Sequence, residues 1–135
     1  MSAAIRATYS PRLTWGRQGR GYTVEVTHHL TNTGCPGDGP HSWCVYAHVF
    51  EEHPLYAELK AAAAAGSLSP ECLDGAPLHS VFFTTSYLKD KGEAVTFGTD
   101  YRHLHDQWFM DHGDPDDVPE VWRDAERLFN WMEQS

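Results

Sequence analysis

The run Asp100-Tyr101-Arg102-His103-Leu104-His105-Asp106 gathers carboxylates, imidazoles and a guanidinium directly after a segment that reads as a β-strand. Side chains of these types can bind a metal ion, exchange protons, or hydrogen-bond a loop into place. If the strand continues past Tyr101, His103 and His105 point to one face, about 7 Å apart along the backbone. Two imidazoles at that spacing can share an ion, and Asp100 or Asp106 can add an oxygen ligand. His79, at the start of the preceding strand, supplies a third nitrogen. The metal reading is therefore a divalent ion such as zinc on His79, His103, His105 and Asp106. If the chain turns helical after Arg102, the two rings diverge and that site is lost.

A second reading needs no metal. His79, Asp100, His103 and Asp106 would form an acid–base group in which carboxylates orient the imidazoles. Arg102 would hold an anionic substrate such as a phosphate. A third reading is structural: Asp106 caps a short helix over Gln107 to His112, because Asp accepts backbone N–H bonds at helix starts.

Other candidates are weaker. Cys35, His41, Cys44 and His48 suggest zinc, but residues four apart in one strand are about 13 Å apart, too far to share an ion. His28 and His29 point to opposite faces of a strand, and His28 sits on the apolar one, where a buried, hydrogen-bonded ring is expected. His53 precedes Pro54, which disfavours helical geometry there and leaves the ring to face a cleft or water. The chain has no phosphate-binding Gly loop, G-x-S-x-G, H-E-x-x-H or dinucleotide fingerprint.

The elements that must position these residues are legible from periodicity. Tyr22 to Thr31 alternates apolar and polar, the pattern of a strand with one wet face. Residues 34 to 40 are too rich in Gly and Pro for a regular element. Trp43 to Phe50 is apolar on both faces and predicts a central strand covered on both sides. Leu55 to Ala65 predicts a helix stopped by Gly66, and Ser69-Pro70-Glu71 a short helical turn. Val81 to Leu88 and Ala94 to Tyr101 predict a hairpin around Asp90-Lys91-Gly92. Val118 to Met132 carries apolar residues at i, i+3, i+4 and i+7, an amphipathic helix with Asp116 and Asp117 near its positive end. With a further strand near Ile5 to Tyr9, the expectation is an α+β domain. Its antiparallel sheet has four to five strands in β-β-α-β-β-α order, and the long C-terminal helix packs on one face.

Composition bounds the partners. The chain has 135 residues, 41% hydrophobic and 13% aromatic, which suits a single folded domain over residues 1–135. Ten basic and 19 acidic residues give a formal net charge of −9. That charge disfavours direct nucleic-acid binding and anionic membranes, and suits a partner protein with a basic surface. Three cysteines without C-x-x-C spacing favour a reducing compartment, although a Cys35–Cys44 bridge across a hairpin is geometrically open. No apolar stretch approaches membrane-spanning length, and a cytoplasmic protein is expected.

Three segments together resemble a family of small uncharacterised bacteriophage and prophage proteins. They are His53-Pro54-Leu55-Tyr56, then Leu78-His79 before an aromatic strand, then Phe97-Gly98-Thr99-Asp100 leading to His103 and Asp106. The family pattern runs HPLY, VHGG and GFD-x-x-H-x-x-D, with Ser80 and Val81 here in place of its two glycines. The matching positions are His53, His79, Asp100, His103 and Asp106. The resemblance implies a phage-linked setting, in which small acidic proteins act as inhibitors of host defence enzymes. Two functions are therefore expected. One is an acidic accessory protein that docks on a basic host protein and inhibits or modulates it. The other is a His/Asp- or metal-dependent hydrolase of a phosphorylated small molecule, or a protein that sequesters a nucleotide in the same pocket.

Overall fold

A computed structural model describes residues 4–5, 13–31, 37–79, 85–103 and 105–135. The strands are β1 (Ala4–Ile5), β2 (Leu13–Gly19), β3 (Tyr22–Leu30), β4 (His41–Phe50), β5 (Tyr87–Asp90) and β6 (Ala94–Asp100). The helices are α1 (Tyr56–Ala65), α2 (Gln107–Asp111) and α3 (Pro119–Gln134), with 3₁₀ turns at Glu71–Leu73 and Pro115–Asp117. The strands form one antiparallel sheet in the order β1-β2-β3-β4-β6-β5. This is the α+β architecture that the periodicity predicts, with the long helix on one face.

The alternation of β3 sets the two faces. Tyr22, Val24, Val26 and His28 are buried, while Thr23, Glu25, Thr27 and His29 are only partly covered. Val121, Ala125, Leu128, Phe129 and Met132 form the buried stripe of α3 and pack with Val24, Val26, Val45 and Val49 in one core. Covering a side chain of this kind stabilises the fold by roughly 1.5–3 kcal/mol. Helix α1 packs along β5 and β6 and adds Leu59 to the same core. It ends where predicted, at Gly66, whose φ of 73° suits a residue without a Cβ.

Two expectations change, and one strand is additional. Strand β4 is central but not covered on both sides, since Tyr46, His48 and Phe50 lie on the sheet face away from the helices and are half-buried. Strand β2 has two glycines in seven residues and no clean alternation, so its sequence does not announce it. It nonetheless pairs with the whole inner part of β3 through a tight turn at Arg20-Gly21. The predicted hairpin is present, but its first described strand is Tyr87–Asp90. Residues 81–84 of the expected strand, and residues 6–9 of the expected N-terminal strand, lie outside the described residues. Cys35 does too, while Cys44 is a free, buried thiol. Among the described residues, no helix is long and apolar enough to cross a membrane.

Candidate functional site

The end of β6 delivers the central residues. Tyr101 N–H donates to the Trp43 carbonyl at 2.9 Å, which holds the chain on β4 for one residue past the strand. The chain then turns, with Asp106 N–H donating to the His103 carbonyl at 3.0 Å and His105 in the left-handed region at φ 77°. Asp106 occupies the N-cap position of α2, yet its carboxylate makes no capping bond to that helix. It faces back across the turn, where Oδ2 accepts from His103 N–H at 2.9 Å. The helix-capping role expected of this side chain is thus replaced by bonds to the two histidines.

The geometry around Asp106 is compact. His79 Nε2 lies 2.8 Å from Asp106 Oδ1, and His103 Nδ1 lies 3.1 Å from Asp106 Oδ2. One ligand atom from each of His79, His103 and Asp106 falls within 4.8 Å of the others. The outer ring nitrogens also meet carboxylates. His103 Nε2 is 3.2 Å from Asp100 Oδ1, and His79 Nδ1 is 4.0 Å from Asp124 Oδ2. Asp124, on α3, is held in turn by the Tyr101 hydroxyl, which donates to Oδ2 at 2.6 Å. The His79 ring stacks on Tyr101 at 4.1 Å and meets the edge of Phe109 at 5.8 Å, so its plane is fixed on two sides.

Burial and charge oppose each other here, and charge prevails. Burial pushes the His79 pKa down, but the hydrogen bond to Asp106 and the charges of Asp106, Asp124 and Asp100 raise it above the ordinary histidine value. Burial likewise pushes Asp106 up, but His79, the His103 N–H and the His103 ring hold it below the usual carboxylate range. Burial, then Asp124, raises the Tyr101 phenol far above its ordinary value, so it remains a hydrogen-bond donor at every working pH.

The structure therefore brings together His79, Asp100, His103 and Asp106, and it separates the other candidates from them. His105 is exposed, and because β6 ends at Asp100 it does not share a strand face with His103. It contributes no ligand atom to the group, which corrects the four-ligand set expected from an extended strand. Arg102 is not poised over the site as an anion clamp. Its Nη1 donates to the carbonyls of Gly39 at 3.0 Å and His41 at 2.8 Å, pinning the loop before β4. His53 is buried at the far side of the core, where Nε2 donates to the Met132 carbonyl at 3.0 Å and Nδ1 accepts from Leu55 N–H at 3.1 Å. Its role is to join the start of α1 to the end of α3. The remaining strand histidines are also engaged. His28 is bonded to and stacked on His41, and His48 binds Glu25 and Thr96. His41 and His48 thus serve separate faces of β4.

Sequence reasoning missed Tyr101 and Asp124. Tyr101 reads as the last strand residue, and Asp124 as one more polar position on an amphipathic helix. Their partnership spans 23 residues and no local spacing announces it. No family model, curated protein or solved structure matches this chain.

Proposed function

We propose that His79, His103 and Asp106 hold a divalent metal ion, and that the protein is a metal-dependent hydrolase of a phosphorylated small molecule. One observation carries the reading: both imidazoles turn one nitrogen onto Asp106, and the other nitrogen of His103 lies 3.2 Å from Asp100, while Asp124 stands 4.0 Å from that of His79. Metal-binding histidines use this arrangement to fix the tautomer and make the inner nitrogen a stronger ligand. Two nitrogens and one carboxylate suit zinc and its first-row neighbours and leave coordination positions for water and substrate. When bound, such an ion supplies a low-pKa water and a positive charge for phosphate oxygens. The phosphate contact assigned to Arg102 on sequence grounds would then come from the ion. The half-buried edges of His79 and His103 leave the group reachable from solvent.

The test is turnover of a panel of phosphomonoesters and nucleotides by the metal-loaded protein beside His103→Ala. Metal-dependent turnover lost in the variant supports hydrolysis. A ligand-induced rise in melting temperature without turnover supports the sequestering form of the same site. Neither effect with any compound would sink both.

A second reading rests on a different observation. Trp108 is 55% exposed yet held in place, its indole N–H donating to the Asp117 carbonyl at 2.7 Å and its ring stacked on His112 at 3.8 Å. Exposed Asp111, Asp114, Asp116, Asp117 and Glu120 lie in the same stretch, which contains no Lys or Arg from His103 to Trp122. A rigid tryptophan in acidic surroundings suits docking on a basic protein, the inhibitory role implied by the phage resemblance. Affinity capture from a bacterial lysate should then retain a basic protein that Trp108→Ala does not. Equal capture by both forms would remove this reading.

A further inference from the structure

The sheet face turned away from the helices carries a cleft of about 190 Å³, lined in part by Glu25, Tyr46, His48, Tyr87, Lys91 and Thr96. Strand register explains its shape. Glu25 is opposite Tyr46, Tyr46 opposite Gly98, and Gly98 opposite Tyr87, which makes one row across β3, β4, β6 and β5. Gly98 has no side chain, and a Cβ there would collide with the Tyr46 ring and the Val45 carbonyl. Tyr46 can therefore reach across β6 to Tyr87, with ring centroids 5.4 Å apart and planes 54° apart. In the neighbouring row His48 is opposite Thr96.

The polar end of the cleft is built rather than loose. His48 Nδ1 and Thr96 Oγ1 are 2.7 Å apart, and His48 Nε2 donates to Glu25 Oε1 at 2.7 Å. Thr96 is buried, so this chain fixes the Glu25 carboxylate from beneath. At the other end the Lys91 ammonium stands 5.3 Å from the centroid of the Tyr87 ring. The Tyr87 face already attracts a cation from within the same chain.

We propose that this cleft binds a small organic ammonium ion, with Tyr46 and Tyr87 as its aromatic wall, Lys91 as an internal occupant that the ligand displaces, and the Glu25 carboxylate attracting the cation from the polar end. Aromatic faces favour cations through their quadrupole, and tyrosines with a nearby carboxylate are the usual elements of ammonium recognition. A cleft of this volume admits an ion of choline size. The chain's net charge of −9 favours the approach of a cation over that of an anion.

The experiment is titration of the full chain with choline chloride at constant ionic strength, followed by calorimetry and by amide shifts of β4 and β6. Lys91 is exposed and Tyr87 is on an edge strand, and Glu25→Gln preserves shape, so these variants are first checked for an unchanged fold by circular dichroism. Removal of the competing ammonium in Lys91→Ala should tighten choline binding about 3- to 10-fold, and Tyr87→Ala should weaken it by a similar factor. Glu25→Gln should also weaken it. Three results would overturn the proposal. They are no choline binding by wild type and Lys91→Ala alike, equal binding by all four proteins, or binding of acetate that Lys91→Ala abolishes.

Discussion

His79 Nε2 sits 2.8 Å from Asp106 Oδ1, although the two residues are 27 positions apart in the chain. Asp106 is 4% exposed and also accepts from the His103 backbone and ring. A buried carboxylate with this set of donors closes the turn after β6 as well as forming the inner ligand of the proposed metal site. Asp106→Asn keeps the shape and removes the charge. It should cost roughly 1.5–3 kcal/mol of stability in urea denaturation of the metal-free protein, the range for hydrogen bonds to charged groups. A cost near zero would show that the carboxylate does not organise the turn.

Tyr101 is a sharper probe of the outer layer, because it touches Asp124 and not the inner ligands' nitrogens. Tyr101→Phe retains the stacking surface under His79 and loses only the hydroxyl. Metal affinity should fall by up to about 10-fold, the lower end of the range for a direct partner of a ligand, with ligand number unchanged. Isothermal titration with zinc reads this directly, and an unchanged affinity would mean that Asp124 does not orient His79.

Two histidines shape the pH dependence of the metal-free fold, in adjoining windows. Burial, then His41 and His29, lower the His28 pKa below its ordinary 6.5. The unfolded chain therefore takes up a proton more readily, and stability falls as pH drops below about 6.5, levelling off beneath the folded-state value. His79 is raised, so its contribution is complete below about 6.5 and is lost as pH rises through its folded-state value. Unfolding free energies across pH 5 to 9 should peak between these limbs. His28→Gln should flatten the acid limb and His79→Gln the alkaline one. Unchanged limbs in the variants would assign the pH dependence to other groups.

His53 supplies the counter-test to a role at the site. Its two ring bonds tie α1 to the end of α3, and both are lost in His53→Ala. Stability should drop by about 1–3 kcal/mol through the unsatisfied groups left behind, with zinc stoichiometry unaltered. Loss of zinc from a still-folded His53→Ala would place this residue in the site after all.

Most of the scaffold was legible because its signals are local. The β3 alternation, the α3 stripe and the Gly66 stop each follow from spacing within about a dozen residues. Strand β2 was not legible, since Gly16 and Gly19 break its pattern and its stability comes from pairing with β3. At the candidate site, residue types single out Asp100, His103 and Asp106 together with the distant His79, and the fold brings these four side chains into contact. His105 was misplaced because the chain leaves the sheet at Asp100 and bends through a left-handed residue, which no periodicity signals. Arg102 was misread because a guanidinium close in sequence to the cluster is drawn to the Gly39 and His41 carbonyls on the neighbouring strand's approach. Asp124 and Tyr101 became visible only once α3 was docked on the sheet.

The central claim is a metal ion on His79, His103 and Asp106 and not on His105. Equilibrium dialysis of the chain against zinc, with the bound ion counted by elemental analysis, tests it for wild type, His103→Ala and His105→Ala. One ion per chain is expected for wild type and His105→Ala, and none for His103→Ala. No bound zinc in the wild type, or equal loss in both variants, would contradict it.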